Sequence, residues 1–408
     1  MASVDSAAEV PYKISVPEEE LQLLKQKLEL TRLPDELDDA GYEYGAPLAD
    51  IRRLVTRWRE GYDWRKHEKE LNDELPQFMR DIEVKDGFGK LKIHYVHKRS
   101  EREDAIPLLF VHGWPGSFIE VRKILPLLVD SGSSELPSFH VVAYSLPGFG
   151  FSECSKKKGF ALAQHAEVGH KLMLSFGYNE YVTQGGDWGY YITRRIAQDY
   201  GGKHSKAWHT NWAGPLPGGP PTLLSSPLLY LQTLLKTPTA REKEETKRTA
   251  WFRSKGRGYF AEQSTQPQTL GYSLADSPVG LLAWIYEKLV AWTDDYKWED
   301  DEVLTWISIY WFSTAGPSAS CRIYYEKVNE RVVSDPTPTI PNGVSFFPKE
   351  LTNFPRSWTR TRYRVFEADH DSGGHFAAHE KPNELVADLR KMFGKGGRAY
   401  GVVNTLAQ

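Results

Sequence analysis

Residues 184–189 read Gln184-Gly185-Gly186-Asp187-Trp188-Gly189 and stand where an apolar strand pattern, Tyr181–Gly185, gives way to a helical one, Trp188–Tyr200. A sharp strand-turn-helix needs small residues around one central side chain, which then projects from the end of the strand. In serine hydrolases that centre is Ser, but here it is Asp187, and no Gly-x-Ser-x-Gly occurs in the chain. A carboxylate is already ionised at neutral pH and needs no base to act as a nucleophile on an sp3 carbon. The plainer reading is an Asp that caps the helix after it.

The pattern repeats outward from this turn. Ile106–Val111 and Phe139–Ser145 read as buried strands before it, with helices at Phe118–Leu128 and Leu162–Phe176; Lys206–Trp212 is a strand after it. Short apolar strands alternating with helices predict an α/β fold with a mostly parallel central sheet. Asp81–Lys85 and Lys90–Lys98 flank Asp86-Gly87-Phe88-Gly89, a hairpin signal. Before it, residues 1–80 are polar and helical, with helices expected over Val16–Leu30, Leu48–Gly61 and Trp64–Leu75. The alternation stops at Gly214-Pro215-Leu216-Pro217-Gly218-Gly219-Pro220-Pro221, and a helical, Trp- and Tyr-rich stretch runs to about Asn329. Strands return at Val344–Phe347 and Tyr363–Ala368, then a final helix at Asn383–Phe393. Such an insert between strands of one sheet is a cap over the strands' carboxyl ends, where ligands bind. The division expected is an N-terminal extension at 1–80, core at 81–212 and 336–408, and the cap at 213–335.

The 408 residues carry 51 Lys+Arg against 54 Asp+Glu, a balance that argues against a nucleic-acid partner. No apolar run is long enough to span a membrane, the first residues lack a secretory signal, and two cysteines make no disulfide framework, so a soluble cytoplasmic protein is expected. Aromatics make up 13% of the chain, enough to fill a large core or line an apolar pocket.

Two more turns carry chemistry. His112-Gly113-Trp114-Pro115-Gly116 follows strand 106–111 and can aim the Trp114 N–H into a site, with the N–H of Trp188 as its partner in an oxyanion hole. Gly373-Gly374-His375-Phe376 follows the last strand, and the order Asp187, acid, His375 suits a nucleophile-acid-base set. Beside an Asp nucleophile, His375 would activate water against an ester. Its orienting acid is sought in Glu350, one strand earlier; Asp369 and Asp371 share the segment leading to His375, and Asp335 lies in a Pro-rich loop. His375 and His379 could also form a metal pair, but no third ligand is evident.

The chain resembles the epoxide hydrolases of the α/β-hydrolase fold, more narrowly the microsomal-type group with its soluble fungal relatives. The matching segments are HGWPG (112–116), PGFGFS (147–152), GGDWG (185–189), DSPVGLLAWIYEK (276–288), FFPKE (346–350) and GGHFAAHE (373–380), with an N-terminal part that includes Leu75-Pro76-Gln77-Phe78 and Ile93-His94-Tyr95-Val96-His97. The resemblance implies Asp187 as nucleophile, His375 as base and Glu350 as its acid partner. It also implies two cap tyrosines that hold the epoxide oxygen. Tyr259 is one, from Gly258-Tyr259, and Tyr324 is the other, from Arg322-Ile323-Tyr324-Tyr325-Glu326; Tyr325 is the alternative by one register step, and Tyr286 belongs to cap packing.

By the same resemblance the reaction adds water to a small apolar epoxide to give a vicinal diol, with no cofactor and no metal, in detoxification or aromatic hydrocarbon catabolism. A homodimer is compatible with it. Two departures stand out: Tyr190 follows the elbow where a small residue is usual, and the membrane anchor of the mammalian enzymes is not expected. A haloalkane dehalogenase shares the Asp elbow and base but holds halide with Trp or Asn donors, which the tyrosine pair argues against. A non-catalytic binding protein on the same scaffold is the remaining alternative.

Overall fold

The computed structural model describes residues 9–212, 214, 222–224, 226–235, 237–330 and 335–404. Among the described residues nine strands form one sheet: β1 (Val10–Pro11), β2 (Gln77–Val84), β3 (Gly89–Lys98), β4 (Ile106–Val111), β5 (Phe139–Tyr144), β6 (Tyr181–Gly185), β7 (Ser205–Thr210), β8 (Asn342–Phe346) and β9 (Arg364–Asp369). Their order is β1-β2-β3-β5-β4-β6-β7-β8-β9. From β5 to β9 every neighbouring pair is parallel, whereas β1, β2 and β3 join antiparallel, β3 against β5. The expected hairpin is present, with Val84 opposite Gly89 and left-handed backbone at Asp86 and Gly87. β1 is too short for any periodicity to reveal it.

Strand β4 lies between β5 and β6, so the chain leaves β4 to one side and returns on the other. This reversal opens a crevice at the carboxyl ends of β4 and β6, where open α/β sheets bind ligands. The strands that frame it are almost wholly buried, as a sheet covered on both faces requires, and β4 is apolar throughout.

One expected helix is broken. Residues 118–128 form a tight turn, Phe118–Val121, followed by a short helix, Leu125–Val129. Pro126 lacks an N–H and is tolerated only in a helix's first turn, so the helix begins there rather than running through it.

Among the described residues, six helices between β7 and β8 form the body of the inserted region: Ala240–Trp251, Gly258–Thr265, Pro267–Asp276, Pro278–Trp292, Asp300–Trp311 and Arg322–Asn329. A further helix, Pro227–Leu235, precedes them; residues 213 and 215–221, most of the Gly/Pro break, lie outside the described residues. Helix Pro278–Trp292 starts on a Ser277 cap that accepts the Gly280 N–H at 2.9 Å, with Pro278 in the first turn. Its sequence is apolar nearly all round because it is covered from two sides.

The N-terminal helices Glu18–Glu29, Leu48–Glu60 and Trp64–Glu74 supply one cover, packing on Pro278–Trp292 and Asp300–Trp311. Ile51, Leu54, Val55 and Trp58 are the buried face of the second, each stabilising by roughly 1.5–3 kcal/mol. At the rim Arg57 grips Asp301 with two bonds of 2.7 and 2.8 Å, and Lys27 meets Asp276 at 2.6 Å. Among the described residues no helix is long and apolar enough to cross a membrane.

Candidate active site

Asp187 stands between β6 and helix Trp188–Asp199 with φ +50°, ψ −124°, in the left-handed region that side chains rarely adopt. The turn holds because the helix presses against β4: a methyl group on Gly189 would lie 2.0 Å from the Val111 carbonyl oxygen. Asp187 does not cap this helix with its side chain, so the plainer sequence reading fails. Instead its Oδ1 accepts the Trp114 N–H at 2.7 Å. Trp188 opens the helix, where first-turn N–H groups lack helical partners. Tyr190, the departure from the usual elbow, is absorbed in a small cluster with Trp208 and Ile340.

His375 Nε2 lies 3.4 Å from Asp187 Oδ2, and its Nδ1 lies 2.6 Å from Glu350 Oε1. Glu350 Oε1 also accepts the Leu351 N–H at 2.6 Å. The acid and base loops run side by side, with Lys349 paired to Gly374 and the Lys349 N–H bonded to the Gly373 carbonyl at 3.0 Å. Burial presses the His375 pKa down, but the Glu350 and Asp187 carboxylates more than reverse that and raise it to about 10. The rival acids are elsewhere: Asp369 is exposed and pairs with Arg356, Asp335 pairs with Arg194, and Asp371 is exposed. His379 bonds Glu302 at 2.8 Å in a separate cluster, and among the described residues no group of three metal-ligating side chains assembles.

Tyr259 and Tyr324 meet above the elbow, ring centroids 5.9 Å apart and nearly perpendicular. Trp114 stacks on Tyr259 at 5.1 Å, and Trp188 meets Tyr324 edge-on at 4.7 Å. Burial first holds both phenols well above the usual range, reinforced at Tyr259 by the Asp187 charge and at Tyr324 by Tyr259 and then Asp187, so each is a neutral donor. The Tyr324 hydroxyl is buried and makes no hydrogen bond to the protein. Tyr325, by contrast, is 38% exposed, and Tyr286 turns toward the N-terminal region, donating to Asp50 at 3.1 Å.

The cap also fixes the turns beneath it. Tyr310 donates to the Gly116 carbonyl at 2.5 Å, Trp306 donates to that of Pro115, and the His375 N–H bonds the Trp292 carbonyl at 2.8 Å. Sequence reading passed over Glu120, a buried carboxyl on the turn Phe118–Val121. Burial raises its pKa to about 8, with His375 opposing the rise and Asp187 adding to it. The signal was a lone acid inside the apolar run Phe118-Ile119-Glu120-Val121, next to a candidate turn.

A sequence model described as "Epoxide hydrolase N terminus" matches residues 9–121, and one described as "alpha/beta hydrolase fold" matches 106–219. "Epoxide hydrolase 1" of Sus scrofa is 36% identical over 419 aligned residues, 94% of this chain and 88% of that protein. The chain belongs to the epoxide hydrolase family. Within this family, the solved epoxide hydrolase of Aspergillus niger is similar at 35% identity, with TM-score 0.81 over 95% of this chain and 96% of that one. The juvenile hormone epoxide hydrolase of the silkworm Bombyx mori is similar at 27% identity, again with TM-score 0.81, over 94% and 93%.

Proposed function

We propose that this epoxide hydrolase works through an ester on Asp187, with roles divided among the residues above. The phenols of Tyr259 and Tyr324 donate to the epoxide oxygen, and Asp187 attacks a ring carbon in line. The C–O bond breaks, its electron pair goes to the ring oxygen, and a phenol supplies the proton. A neutral ester then stands where a carboxylate stood. His375 loses one of the two charges that raised its pKa, so its imidazole becomes available as a base.

Water then gives a proton to His375 Nε2 and bonds to the Asp187 carbonyl carbon. The N–H groups of Trp114 and Trp188 hold the oxyanion, and a donor of this kind is worth about 3–4 kcal/mol. The ester C–O bond breaks toward the diol oxygen, which takes the His375 proton; the second water proton restores the phenol. Glu350 fixes the tautomer of the neutral imidazole and stabilises the imidazolium it becomes. The product is a vicinal diol.

One observation carries this reading: Glu350, His375 and Asp187 form an unbroken chain of contacts at 2.6 and 3.4 Å, ending on a carboxylate that already receives the Trp114 N–H. The aromatic walls favour a small apolar epoxide. The test is a single turnover in isotope-labelled heavy-oxygen water. Label on Asp187 and none in the first-turnover diol is expected; labelled diol would sink the ester.

The corresponding division of the chain is an extension at 1–80, core at 81–212 and 336–408, and a cap at 213–335. Two unpaired cysteines fit a reducing, cytoplasmic setting. Homodimerisation is tested by sedimentation of the intact chain.

A further inference from the structure

Behind Asp187 lies a cavity of about 20 Å³, room for a single water molecule. Asp187, His375, Glu120, Gln184 and Gly113 are among its walls, and neither Tyr259 nor Tyr324 is. It therefore opens on the reacting carboxyl and the base from a side the phenols do not share. Two buried oxygens on its wall have no hydrogen-bond partner in the protein: Glu120 Oε1 and Gln184 Oε1. An unpaired buried oxygen costs roughly 1–3 kcal/mol, and a water in such a place normally takes 2–4 polar partners.

The chain makes space for the Glu120 carboxyl. A methyl group on Gly116 would lie 1.6 Å from Glu120 Oε1, so a side chain at 116 and this carboxyl cannot share the position. Gln184, also on the wall, is oriented by its own bond to Asn211, 2.9 Å from Nε2 to Oδ1, which leaves its Oε1 without a partner. A water here has two acceptors for its hydrogens, His375 beside it, and the Asp187 carboxyl within reach.

We propose that Glu120 is a positioning residue for the hydrolytic water: with Gln184 it holds that water in this cavity, lone pair toward the Asp187 carbonyl carbon. The inference rests on the ester mechanism above. At attack the hydrogen first held by Gln184 Oε1 turns and passes to His375 Nε2, as already described, while the other stays on oxygen and is held by Glu120 Oε1.

The experiment compares wild type, Glu120→Gln and Gly116→Ala by rapid quench, intact-protein mass and steady-state kinetics. In Glu120→Gln, ester formation and kcat/KM are expected to hold within about threefold, while kcat and KM fall together by about 10- to 100-fold and alkylated enzyme accumulates. Gly116→Ala, which displaces the carboxyl without removing it, is expected to move kcat and KM the same way. Ester hydrolysis at the wild-type rate in Glu120→Gln overturns the proposal. So does an equal loss of kcat and kcat/KM, which marks a merely structural role in the 112–121 turn. If wild type itself yields no ester on Asp187, the mechanism underneath fails and the inference with it, an outcome distinguishable from the others before any variant is made.

Discussion

Asp187, Glu350 and His375 stand on turns that leave the carboxyl ends of β6, β8 and β9, whereas Tyr259 and Tyr324 stand on cap helices positioned by what packs around them. On the rim of the sheet, backbone geometry aims each side chain. In the cap, the aim comes from tertiary packing: Trp114 and Trp188 below, Trp292 alongside, and three N-terminal helices bracing the far face. The rim should therefore fail residue by residue, each loss stopping one chemical step. The cap should fail in graded fashion.

The largest effect is expected at the rim. Asp187→Ala should lower kcat by about 10⁴-fold or more, with substrate binding retained, as measured by turnover and by equilibrium binding of a diol. Residual turnover near the wild-type rate would break the comparison at its centre. His375→Gln should still be alkylated, then stall; hydrolysis slower by about 10²–10⁴-fold, with ester visible by mass, is the expected result.

Cap substitutions come next. Tyr259→Phe and Tyr324→Phe should each slow ester formation by about 10- to 1,000-fold, with the double variant worse than either. Tyr325→Phe and Tyr286→Phe should leave kcat/KM within about twofold. A smaller effect than at either catalytic tyrosine is expected at Trp306→Phe, which removes the bond from the cap to the Pro115 carbonyl. A loss of about 1–2 kcal/mol in chemical denaturation should accompany a few-fold drop in kcat.

A pH series addresses the fold beneath both regions. Burial holds His94 and His165 at a pKa of about 3 and His112 at about 4, below the free value near 6.5. The unfolded chain then binds protons that the folded one refuses, so unfolding free energy should fall as pH drops from about 6.5 toward 3–4. His375, raised to about 10, runs the other way: its contribution is complete below about 6.5 and is lost as pH climbs through 10. Denaturation midpoints should therefore peak near neutrality, and a flat profile from pH 5 to 7 would count against neutral buried imidazoles.

Much of this was readable in the sequence where the information is local. The elbow at Asp187 and the loop at His375 are turns, and turns are spelled by neighbouring small residues. Glu350 could be ranked above Asp369 and Asp371 because the strand order puts it on the same rim. The tyrosines could not be chosen that way. Helical periodicity says that a residue is buried but not what it faces, and only resemblance picked Tyr259 and Tyr324 out of 21. Glu120 escaped for a related reason. An acid in an apparent helix reads as a solvated face, and only the break before Pro126 and the gap left by Gly116 turn it inward.

The aromatic enclosure around the elbow also gives the protein a built-in optical gauge. Among the tryptophans, Trp114, Trp188 and Trp292 touch the tyrosine pair directly, and the first two flank the carboxylate that becomes an ester. Indole emission responds to nearby charge, so ester formation and hydrolysis should each register as a change in intrinsic fluorescence. The same rings that exclude water can thus report, in stopped flow and without any label, how long each turnover spends in the covalent state.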